Sequence, residues 1–222
     1  IDGLHVVCTY EKGVLKVAAT RGDGKVGEDV THNVKTIESV PLRLRKDVDV
    51  IVEGEVWIPK DRFEKLNKKR EKAGEALFAN PRNAAAGAIR QLDPKIAAKR
   101  GLEMIFYELD NVPSIKSQGE ELEYLRELGF KTDRHWKAFD SIDDVIKFWK
   151  RWEKKRDDQP YWVDGVVVKV DKIAQQEALG YTGKAPRFVL ALKFATEQGT
   201  SVIREVNWQV GRTGALTPVA TM

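Results

Sequence analysis

An α+β fold, mostly antiparallel sheets with flanking helices, is what this chain predicts, on three observations. Short β-rich runs are joined by tight turns, as at Glu11-Lys12-Gly13. Segments with helical spacing carry start signals, as at Asn80-Pro81 and at Ser141. Strands and helices alternate among hairpins, without the regular strand–helix–strand order of a parallel sheet.

Val6, Val7 and Tyr10, followed by residues 14–20, read as the two strands of a hairpin. Gly22-Asp23-Gly24 is a loop, because two glycines so close disfavour both regular states. Residues 48–58 form a strand that Pro59 ends, and residues 61–73 a charged helix with Phe63 and Leu66 on one side. Asn80 caps and Pro81 opens a helix that runs through Ala84, Ala85, Ala86 and Ile89 to about Leu92. Residues 102–109 are a further strand. Ser141 caps a helix in which Ile142, Val145, Ile146, Trp149 and Trp152 recur at spacings of three and four, which assigns the tryptophans to the core. Residues 163–170 and 188–194 are continuously apolar strands interrupted by single lysines, and such strands are expected to be buried.

The 222 residues are enough for one large domain or two small ones, and 42% hydrophobic with 32% charged residues excludes a disordered chain. A net charge of +4 admits a polyanionic partner and, equally, a mildly basic surface with none. A single cysteine, Cys8, excludes a disulfide framework and a cysteine-based zinc site, and fits a reducing cytoplasm. No apolar run approaches the roughly 18 residues of a membrane span. Both ends read as cut from something larger: Ile1 begins inside a strand pattern, and Thr217-Pro218-Val219-Ala220 stops inside another.

Four sets of residues carry chemistry. Lys169 in Val166-Val167-Val168-Lys169 and Lys193 in Leu190-Ala191-Leu192-Lys193 sit late in apolar strands. One such lysine alone is ordinarily an edge residue reaching water; two of them favour phosphate contacts. Asp164-Gly165 adds a carboxylate and a glycine for close approach. Glu53 and Glu55 lie two apart on one strand, so both point the same way, into a site or into solvent. Arg21, just before the Gly-Asp-Gly loop, is placed for paired hydrogen bonds to a ribose, phosphate or carboxylate. Arg82 and Arg90 flank an alanine-rich helix, either solvated or facing a nucleic-acid backbone.

Taken together, these residues resemble the nucleotidyltransferase core of the bacterial NAD-dependent DNA ligases. The family's lysine-x-aspartate-glycine motif is matched from its second position by Ile1-Asp2-Gly3, and its later motifs by Thr20-Arg21-Gly22-Asp23-Gly24, by Gly54-Glu55, by Asp164 to Val170 and by Leu192-Lys193-Phe194. The most specific match is Phe78-Ala79-Asn80-Pro81-Arg82-Asn83-Ala84-Ala85-Ala86-Gly87, continuing to Arg90-Gln91-Leu92-Asp93-Pro94. ATP-dependent ligases and capping enzymes share the lysine ladder but not this run.

The resemblance implies an ATP-grasp-like nucleotidyltransferase domain over residues 1–198 and, from Gln209-Val210-Gly211-Arg212-Thr213-Gly214, the start of an OB-fold over 199–222. It implies a lysine just before Ile1 that takes AMP from NAD and passes it to the 5′-phosphate of a nick, so the chain as it stands is expected not to adenylate itself. Asp2, Lys169 and Lys193 would be catalytic. Arg21, Glu55, Tyr107, Lys169 and Lys193 would hold the nucleotide, Tyr107 by stacking on adenine and both lysines by neutralising the AMP phosphate. Arg82, Arg90, Arg156 and Asp164 would serve nicked duplex DNA. Mg²⁺ would be bound chiefly through phosphate and water, without assignable protein ligands, and zinc would belong only to a finger outside this chain. A cytoplasmic, nucleoid-associated monomer is expected. A non-catalytic nucleic-acid-binding module is the alternative from another class.

Overall fold

The computed structural model describes residues 1–22, 24, 26–110, 112, 114–183, 185–195, 200–211 and 213–222. Asp23 of the expected loop motif, Arg212 of the C-terminal motif and the expected domain boundary at 198/199 lie outside the described residues.

Strands β1 (Leu4–Glu11) and β2 (Val14–Thr20) form the expected hairpin. Its two-residue turn has positive φ at both Lys12 (48°) and Gly13 (70°), the primed geometry that matches strand twist. After a short helix α1 (Thr31–Val34), strand β3 (Val50–Trp57) pairs antiparallel with β1 on one edge and with β4 (Glu103–Asp110) on the other. The four-stranded order is therefore β2-β1-β3-β4.

Side chains alternate across this sheet. Val6, Cys8 and Tyr10 of β1, Val50, Val52 and Val56 of β3, and Met104 and Phe106 of β4 are all 2% exposed or less. They share one apolar cluster with Val34, Ala84, Ala85, Ala88, Ile89, Leu125 and Leu128 of the helices. Cys8 is buried in that layer, and burial pushes its thiol up to about 12. The other face is left to His5, Glu53, Glu55 and Tyr107.

Three helices between β3 and β4 follow from their caps. Helix α2 (Lys60–Lys72) begins after Pro59 and buries no residue. Helix α3 (Pro81–Ile89) is capped by Asn80, whose side chain accepts the Asn83 N–H at 2.7 Å. It stops at Ile89 rather than near Leu92, because the Asn33 amide donates to the Ile89 and Gln91 carbonyls at 2.6 and 2.7 Å. Helix α4 (Pro94–Arg100) is capped by Asp93 and closed by left-handed Gly101. Helix α5 (Gln118–Leu128) packs on β4 through Leu122, Leu125 and Leu128.

Helix α6 (Ile142–Lys155), capped by Ser141 as expected, departs from expectation in having no buried residue. Strand β5 (Gly165–Lys169) and, after helix α7 (Ile173–Leu179) and the minimal pair β6 (Tyr181–Thr182) and β7 (Ala185–Pro186), strand β8 (Val189–Lys193) form a sheet of only two strands. A two-stranded sheet cannot cover a helix. Trp149 therefore half-covers itself by donating Nε1–H to the Leu192 carbonyl at 3.1 Å and stacking on Phe194. The expected burial of β5 and β8 fails for the same reason: Val167 and Leu190 are each 61% exposed. Strands β9 (Glu205–Val210) and β10 (Leu216–Thr221) form a separate exposed hairpin. Among the described residues, no helix is long and apolar enough to cross a membrane.

Two positions test this account. A Cβ on Gly54 would stand 2.2 Å from the Ile105 carbonyl oxygen, so Gly54→Ala is expected to lose about 2 kcal/mol or more in urea denaturation; unchanged stability would refute the tight β3–β4 contact. Glu121 on α5 is buried and accepts the Leu109 N–H at 2.7 Å; burial, with Glu108 nearby, lifts its carboxyl from the ordinary 4.5 to about 7. The folded state then holds a proton the unfolded state releases, so this group makes stability fall as pH rises from about 4.5 to about 7. Glu121→Gln should flatten the decline in melting temperature over that range, and a parallel decline would refute the assignment.

Candidate active site

The outward face of β1, β3 and β4 gathers the polar residues. His5 stands opposite Glu55 in the β1–β3 register, and its Nε2 lies 2.7 Å from the Glu53 carboxylate. That hydrogen bond holds the Glu53 carboxyl below its ordinary range. Glu55 is shifted the other way, upward, because its burial outweighs the pull of Arg82 and His5. The β3–β4 pairing slips between Glu53 and Gly54, so that Gly54 faces Phe106 while Glu53 faces Glu108. Tyr107 is the extra residue of this bulge. Its phenol is held far above the ordinary range by burial and by the neighbouring glutamates Glu55, Glu53 and Glu108, with Arg21 acting in the opposite sense.

Strands β5 and β8 bring the two lysines to one face but not to one point. In their register Gly165 pairs with Lys193 and Lys169 with Val189. Both lysines therefore project from the same side of the ladder, four residues apart along β5, or roughly 13 Å. Lys169 Nζ contacts the Glu108 carboxylate, approaches the Tyr107 carbonyl at 3.4 Å and lies 5.7 Å from the Tyr107 ring centre. Lys193 Nζ donates to Asp164 at 3.0 Å; although burial opposes it, that bond keeps Asp164 below its ordinary range.

A second cluster forms around Lys193. Asp2 accepts from Arg82 Nε at 2.9 Å, and Arg82 also feels Glu55 and Asp164. The Asp2 N–H donates to the Trp162 carbonyl, and a Cβ on Gly3 would stand 2.3 Å from the Val56 oxygen, so the chain runs flat along β3 here. The sequence-predicted residues thus divide into two groups. Asp2, Arg82, Asp164 and Lys193 meet at one end; Tyr107 and Lys169, with Arg21 in the field of Tyr107, meet at the other, and Glu55 lies in the field of both Arg82 and Tyr107. Of the remaining two, Arg90 pairs with Glu28, and Arg156 stands over the Phe194 ring at 5.9 Å and bonds the Ala195 carbonyl, just beyond Lys193 in the chain.

His5 and Glu108 belong to the site and escape sequence reading. His5 interrupts an apolar strand at the parity of the residues facing Glu53 and Glu55, a signal that needs the β1–β3 register to be used. Among the described residues, no group of three or more His, Cys, Asp or Glu side chains converges as a metal cage. The His5 Nδ1 is buried without a partner, as a polar atom that a bound group would satisfy.

Residues 1–197 match the family described as the NAD-dependent DNA ligase adenylation domain. Curated relatives named DNA ligase include one from Carboxydothermus hydrogenoformans, 50% identical over 99% of this chain, and one from Bacillus cereus, 50% identical over all of it. A third, from a Thermoanaerobacter species, is 51% identical over the whole chain. In each case this chain spans 34% of the relative's length, about one third. With the match running from Ile1 through residue 197, the chain belongs to the family of NAD-dependent DNA ligase adenylation domains.

Proposed function

We propose that this chain is the nucleotide-handling part of an NAD-dependent DNA ligase. In this reading a lysine preceding Ile1 in the parent polypeptide takes AMP from NAD with release of nicotinamide mononucleotide, and the AMP then activates the 5′-phosphate of a nick for attack by the 3′-hydroxyl. The observation that carries it is the pair of lysines on one face, their backbone positions roughly 13 Å apart along the β5–β8 ladder, each beside its own group of polar residues, an arrangement that suits a base at one end and a phosphate at the other.

Tyr107 stacks on the adenine, and Lys169 meets the base end beside it. Glu55 and Arg21 hold the ribose. Lys193 stands where charge develops on the phosphorus, a preplaced cation stabilising the transition state, and Asp2 keeps the reacting end in register through Arg82. The expectation that both lysines serve the phosphate narrows here to Lys193. Cations around the reacting end also favour the neutral amine of the attacking lysine. Arg82, Arg90, Arg156 and Asp164 serve the nicked duplex. Mg²⁺ supplies charge neutralisation through phosphate oxygens, with no protein ligand assigned. The β9–β10 hairpin, with Val206, Trp208 and Val210 exposed, reads as the opening of an OB-fold that begins near residue 199.

The test is intact-mass measurement on a polypeptide extended to include the residue before Ile1. One AMP should be gained from NAD and Mg²⁺ and none from ATP, while the 222-residue chain, which holds no residue at that position, gains none. Lys193→Ala should slow the gain by about 10²–10³-fold. An adduct from ATP alone would establish the ATP-dependent alternative; no adduct, with salt-dependent DNA binding intact, would establish a binding module.

A further inference from the structure

Strand β4 buries Met104 and Phe106, and the next inward residue in regular alternation would be Glu108; instead it is Leu109. The bulge at Tyr107 shifts the parity, so two consecutive side chains, Tyr107 and Glu108, emerge on the outward side. Both touch Lys169: Glu108 by its carboxylate, Tyr107 by its carbonyl and its ring. The Lys169 side chain is only 14% exposed and that of Glu108 29%. An ammonium so covered calls for a carboxylate partner, since a buried charge left unpaired is costly.

We propose that Glu108 is a positioning residue that holds the Lys169 ammonium along the Tyr107 ring, ready for the base end of the bound nucleotide. The proposal rests on the reading that this face takes the AMP half of NAD. A four-carbon stem leaving β5 has many rotamers; one carboxylate on the bulge selects among them. The other titratable groups facing Lys169 are Glu53 from β3, already committed to His5, and Glu121 from α5, which accepts the Leu109 N–H and so steadies the segment carrying Glu108. Arg21 shares the field of Glu53 and Tyr107. Glu108 alone among these carboxylates touches the ammonium.

Glu108→Gln keeps the shape and removes the charge. In the 222-residue chain, AMP affinity is measured by calorimetry at neutral pH. Glu108→Gln should bind about tenfold more weakly, because the carboxylate that fixes the lysine is lost. Equal affinities would overturn the proposal. If the wild-type chain binds no AMP, the nucleotide reading fails, and the Glu108 assignment is still decided by the NMR shift of the Lys169 Cε resonance, which the Tyr107 ring displaces when the ammonium is held along it. Collapse of that shift toward the free-lysine position in Glu108→Gln supports the assignment, an unchanged shift rejects it, and the same spectra report that the variant is folded.

Discussion

The contact between β3 and β4 at Gly54 constrains everything around it. β3 is paired on both edges, and at its centre there is no room even for a methyl group: a Cβ would meet the Ile105 carbonyl at 2.2 Å and the Met104 side chain at 2.9 Å. Such closeness lets the sheet press Val52 and Val56 into the helical layer on one side while Glu53 and Glu55 flank the glycine on the other. The slip in pairing beside Gly54 then turns Tyr107 and Glu108 outward together. One small residue thus sets core packing, carboxylate presentation and aromatic placement at once.

Three cations of the site are held by carboxylates, Arg82 by Asp2, Lys193 by Asp164 and Lys169 by Glu108, and off the site Arg90 is held by Glu28. These pairs are not equivalent. Lys193 is 69% exposed, and an ion pair in water is worth ~0–1 kcal/mol, so a phosphate can displace Asp164 at little cost. Lys169 is covered, and stripping its partner leaves a desolvated charge. The exchangeable pair and the fixed pair thus stand at opposite ends of the β5–β8 ladder.

Much of this was legible in the chain, and the rest hid behind pairing. The Lys12-Gly13 turn, the Asn80 and Ser141 caps and the shared side of Glu53 and Glu55 follow from local rules, and the structure has them. Leu122, Leu125 and Leu128 carry a helical spacing that went unread, as did the short helices around it. One failure is physical. Trp149 and Trp152 have core spacing, but whether a helix is covered depends on the size of the sheet it meets, which no local pattern encodes. Lys169 and Lys193 look equivalent in sequence; only the antiparallel register, with Gly165 across from Lys193, sets them at opposite ends of one face of the ladder. The bulge at Tyr107 likewise exists only between strands.

The buried Cys8 has a practical corollary. A thiol with no exposed surface and a negligible thiolate fraction near neutrality does not react with alkylating reagents in the folded chain. The protein therefore arrives with a chemically silent background. A cysteine introduced at Val167, midway along the open ladder, would be the one site a fluorophore or spin label finds, and binding at this face could be followed without altering any native thiol.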